Sequence, residues 1–159
     1  MSGPLAPLGL RFLAASVDVA LLGLGLFGGG LLGWVVLGLV DPASAVLAGL
    51  FGGLFGAAVP TVISWVLIAE EGQSLGKRWT GLRIVRTDGS LPGFWNGVVL
   101  RSWVVAFLIR LCGVFYVVDA LLVLRADRRA GHDWIAGTRV IRDPMVDESV
   151  APSRTFAAG

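Results

Sequence analysis

From Leu8 to Val40 only Arg11 and Asp18 are charged, and Val19 to Val40 alone is 22 residues without a charge. A bilayer's hydrocarbon core takes about 20 residues to cross, so this run predicts a transmembrane helix over about 8–40. Asp41, Pro42 and Ser44 then supply capping chemistry and a proline suited to a helix start. A second uncharged run, Pro42 to Ala69, predicts another helix over about 43–69. With so few residues between them, the two must form an antiparallel hairpin.

The polar stretch 70–93, EEGQSLGKRWTGLRIVRTDGSLPG, interrupts the apolar pattern. Within it, alternating Leu82, Arg83 and Ile84 followed by Asp88-Gly89 read as a short strand and a turn. Gly81 to Arg86 is nearly repeated by Gly137 to Arg142, which predicts a tail strand over 136–143 pairing with the first. Between them lies a third apolar region, 94–124, carrying Arg101, Arg110 and Asp119. Crossed once, it would part the two strands, so a re-entrant pair of shorter helices broken near Cys112-Gly113 is expected, with a third full span as the alternative. Trp95, Trp103 and two arginines suit its first half to the membrane interface. Residues 144–159, rich in Pro, Ala, Ser and charge, read as a disordered tail.

Small residues recur every fourth position at Gly25, Gly29 and Gly33, and at Ala45, Gly49, Gly53 and Ala57. In lipid, such stripes let helix backbones approach closely. Counting outward from a turn near residues 42 and 43 sets Gly33 level with Gly53, and Gly29 with Ala57. Pro60 should kink the second helix, because it removes a backbone donor.

Composition agrees with lipid as the solvent: 55% hydrophobic residues, 15% charged and a mean hydropathy of +0.80 in 159 residues. Twelve of the thirteen basic residues lie beyond residue 76, which by the positive-inside rule puts the polar loop and the N-terminus in the cytoplasm and the Asp41 turn outside. No basic n-region precedes the first apolar run, and that run is too long for a signal peptide, so no cleaved leader is expected. One cysteine excludes an intrachain disulfide, and one histidine argues against a conventional zinc site, so neither metal nor cofactor is expected. Nothing in the composition calls for nucleic acid.

The candidate chemistry lies in charges set among apolar residues. Arg11 and Asp18 are two helical turns apart on one face of the first helix. Arg11 can snorkel to the interface, whereas a carboxylate deeper in the span costs about 2.5–3.5 kcal/mol and needs a partner. Arg101 or Arg110 is the expected cation; Arg110 and Asp119 fall on opposite faces of a continuous helix and cannot pair with each other. Alternatively, Asp18 and Asp119 are protonatable sites on an ion path. His132-Asp133, in GHDWIAGT, lacks a credible nucleophile, so Asp133 is read as a cap or as a partner of Lys77, Arg78 or Arg128. GQSLGK departs from a phosphate loop: three residues separate its glycines instead of four, and Arg78 stands where Ser or Thr is required.

These residues in this order resemble the RDD family of bacterial membrane proteins, named for an arginine and two aspartates. Arg11, Asp18 and Asp133 match the three signature positions, GQSLGKRWTGLRIVRTDG matches the segment after the second helix with Leu75 where proline is expected, and LRSW at 100–103 matches the start of the last apolar region. The resemblance covers about 8–143, with 144–159 as a tail. It implies a suggested transport role for unidentified ligands, cation/proton exchange for a few members and action beside partner membrane proteins for others.

The sequence thus predicts an all-α membrane protein: a transmembrane hairpin, a third, interfacial or re-entrant helical region and a small two-stranded cytoplasmic β element. Its Arg11, Asp18 and Asp133 network draws on Arg101, Arg110, Asp119, Lys77 or Arg78. Two to four short segments cannot easily enclose a pathway alone. The expected function is therefore that of a non-enzymatic accessory or regulatory subunit in the bacterial plasma membrane, joined to other membrane subunits or to itself. An oligomeric ion or small-solute transporter using Asp18 is the alternative, and anionic headgroup binding a weaker one.

Overall fold

The computed structural model describes residues 3–111, 121, 122, 124 and 129–143. Two helices dominate it, α1 (Leu8–Gly38) and α2 (Pro42–Glu71), both long and apolar enough to cross a membrane. The reversal is tight: Asp41 N donates to Leu37 O at 2.7 Å, the Asp41 carboxylate accepts from Ala43 N, and Pro42 opens α2 where its missing donor costs nothing.

The helices cross on their small residues, in a register that corrects the expected one. Cβ atoms built on Gly25, Gly29 and Gly33 would lie 2.1–2.2 Å from the carbonyl oxygens of Gly56, Gly52 and Ala48. Gly33 therefore opposes Ala48, not Gly53, and Gly29 opposes Gly52, not Ala57. Gly49 and Gly53 pack one column over, against Gly30, Trp34 and Leu26, and Ala57 N lies beside Gly25. The cause is the turn, centred nearer residue 40 than 42; in a hairpin, an error in the centre doubles in the register. The carbonyls point at Cα–H groups, a contact worth about 0.5–1 kcal/mol each. Helix α2 runs unbroken through Pro60, and the Thr61 hydroxyl donates to Ala57 O at 2.8 Å.

At the end where α1 begins and α2 stops, a polar layer forms. Gly72, at φ 72°, ends α2, and its carbonyl accepts from Ile84 N at 2.6 Å. Then come α3 (Leu75–Trp79), β1 (Leu82–Arg86), α4 (a wide π-helical turn over Trp95–Val104 running into Val105–Leu111), α5 (Gly131–Ile135) and β2 (Thr138–Arg142). The strands pair antiparallel, with Ile84 opposite Val140, so the chain leaves and returns to the same end of the hairpin. The expected break at Cys112-Gly113, with Asp119 and Arg128, lies outside the described residues, as does 144–159.

The chain before α1 adds a third extended segment: Leu5 bridges Ile141, Ala6 N donates to Val140 O at 3.1 Å, and Arg142 N to Pro4 O at 3.0 Å. The structured unit therefore begins before the expected residue 8. Beneath the strands, Ala6, Ala14, Ile68, Leu82, Ile84, Val98 and Val140 form the core. Trp103 seats α4 on this layer by edge contacts with Trp65, 5.4 Å between centroids, and Phe94, 5.9 Å.

A buried arginine and aspartate network in the polar layer

Asp133, on the first turn of α5, is fully buried and is the hub. Its Oδ2 receives Arg11 from α1 at 2.6 Å and the backbone N–H of Ala130 at 3.2 Å; its Oδ1 receives Arg101 from α4. Arg101 also donates to the Thr138 hydroxyl at 2.9 Å and lies 3.1 Å from His132 Nε2. Burial by itself would push the Asp133 carboxyl up, but Arg101, His132 and Arg11 outweigh it and hold the group well below the usual carboxylate range. Three elements far apart in sequence are thus tied to one carboxylate. The capping role expected of Asp133 is present; its cations are Arg11 and Arg101.

The expected guanidinium partner of Asp18 is not there. Arg101 is engaged at Asp133, and Arg110 is exposed. Asp18 instead accepts from the Ser74 hydroxyl at 2.6 Å and Gly76 N at 2.7 Å. Ser74 in turn caps α3 by accepting from Lys77 N. Backbone and hydroxyl donors at the start of a short helix satisfy the carboxylate, so no cation has to be spent on it. Gly76 makes this possible, since a Cβ there would sit 2.1 Å from Ala14 O and 3.0 Å from Asp18 Cγ. The second glycine of GQSLGK thus serves close packing on α1. Its lysine is half-buried beside the network, and burial, then Arg101, lower its pKa to about 8 against the pull of Asp18 and Asp133. Arg78 takes no part in the network; it pairs with Glu71 at the surface at 3.3 Å.

A second buried pair was missing from the sequence reading. Asp143, just past β2, accepts from Arg83 at 2.9 Å and from Gln73 at 2.9 Å. The signal existed: antiparallel pairing of the two echoed segments carries Asp143 past the strand end to Gly81, beside Arg83. Among the described residues, no cluster of His, Cys, Asp and Glu could hold a metal ion.

A cavity of about 300 Å³ opens between α1, α2, α3 and α4, with Asp18, Ser64, Trp65, Lys77 and Arg101 on its wall. A second, of about 650 Å³, is an apolar groove beside the glycine crossing, lined by residues such as Leu32, Val36, Phe51 and Phe55.

Over residues 5–137 the chain matches the RDD family. It is 29% identical over 115 residues to an uncharacterized protein of Haemophilus influenzae, covering 72% of this chain and 70% of that one. No solved structure matches it. With that match over most of its length and two long apolar helices, the chain belongs to the RDD family of membrane proteins.

Proposed function

We propose that this chain is a non-enzymatic, multi-pass protein of the plasma membrane, with its N-terminus and polar layer in the cytoplasm, acting as an accessory or regulatory subunit beside a larger membrane complex or further copies of itself. One observation carries this reading: α1 and α2 meet backbone to backbone along Gly25, Gly29 and Gly33, leaving no lumen between them. A hairpin sealed in this way can support a pathway only together with other helices. The apolar groove beside the crossing gives those helices a place to seat. Gentle detergent extraction followed by native mass spectrometry tests this. A stoichiometric partner, or a defined oligomer, is expected; a lone monomer counts against it.

The position of Asp18 on a cavity wall shared with Lys77 and Arg101 favours a second reading, an oligomeric ion or small-solute transporter of the cation/proton exchange type. Protein reconstituted alone into vesicles should leave ion and pH gradients intact under the first reading. A flux lost in Asp18→Asn would favour the second.

A further inference from the structure

Lys77 is the only lysine in the chain; the other twelve basic residues are arginines. It stands on the wall of the 300 Å³ cavity. Among the described residues, its ammonium has neither a hydrogen-bond acceptor nor a carboxylate within ion-pair distance. The charged groups that act on it are Arg101, Asp18, Asp133 and Arg11. Asp133 is already shared by two guanidinium groups, and Asp18 is held by Ser74 and Gly76. The hydroxyls of Ser64 and Ser102 also line the cavity; Ser64 accepts from Leu75 N at 3.5 Å, which leaves its own proton to donate. Toward the hairpin the wall turns apolar, with Leu22, Pro60 and Trp65.

We propose that this cavity binds a phosphate-bearing anion between Lys77 and the hydroxyls of Ser64 and Ser102, and that the ligand is an anionic phospholipid. A phosphodiester supplies the carboxylate-like partner that the Lys77 ammonium lacks among the described residues, and the apolar part of the wall accepts the start of an acyl chain, which free phosphate could not use. The site does not depend on the accessory reading, because it is built within one chain.

The lone lysine makes the test direct. The full chain, purified in a maltoside detergent that carries no phosphate, is acetylated with a limiting amount of acetic anhydride, and Lys77 modification is measured by mass spectrometry relative to the N-terminal amine. Phosphatidylglycerol added to the micelles should lower that ratio severalfold, and inorganic phosphate should change it little. Protection by inorganic phosphate alone overturns the lipid as ligand. Equal ratios in all three conditions, or a lysine that does not react even without lipid, overturn the site. Ser64→Ala keeps the lysine and should lose much of the protection; protection that persists unchanged would assign the effect to micelle charge and overturn the seat.

Discussion

Asp133 shows how one buried side chain can govern an assembly. It joins α1, α4 and the turn into α5, so Asp133→Asn should leave two buried guanidinium groups without their shared carboxylate and cost about 3–5 kcal/mol of stability, read as a lower thermal midpoint in detergent. Gly76→Ala drives a methyl group into Ala14 O, and a loss of about 1–3 kcal/mol is expected in the same measurement, with Asp18 displaced from α3. Lys77 shifts stability with pH in the same direction as a paired carboxylate, but in an alkaline window. Its pKa in the folded protein, about 8, lies below the ordinary 10.5, so between these values the unfolded chain holds more protons and stability rises with pH. Lys77→Met should flatten that rise in thermal midpoint above about pH 8. The sequence made Arg11, Asp18 and Asp133 visible as charges out of place, but which carboxylate took which donor depends on where α3 and α5 end up.

The two halves of the polar layer share one plan: a five-residue helix, a two-residue turn ending in glycine at φ 65° or 61°, and a five-residue strand. The strand echo was legible because these segments repeat the same glycine, arginine and β-branched residues. The short helices were not, since five residues give no periodicity to detect. Arg83 and Asp143 hold the outer end of the pair, so Arg83→Met should loosen it and increase amide exchange in 82–86 and 138–142. For the long helices, Gly29→Val would push a side chain into Gly52 O; the hairpin should open or shift register and expose α2 to proteolysis. The stripes themselves were plain in the sequence. Their register was not, because it turns on where the chain reverses to within one residue.

Taken whole, the molecule is an apolar hairpin with a charged layer at one end. The layer gathers Pro4 to Ala6, the segment after α2 and the tail strand, the first and last of which the sequence separates by more than a hundred residues. If that layer is cytoplasmic, single cysteines at Ser44 and Ser90 should react with an impermeant thiol reagent from opposite faces of the membrane. Labelling of both from one side would contradict the orientation.

Length, apolar run and the repeated strand segment decide by themselves that this chain has two membrane-length helices, a tight reversal and two short strands, because those features depend on near neighbours and on period. The tertiary structure alone decided that Asp18 is satisfied by a helix start and Asp133 by two arginines. Both carboxylates needed neutralising, and a sequence fixes that need without fixing which of many donors arrives first in space.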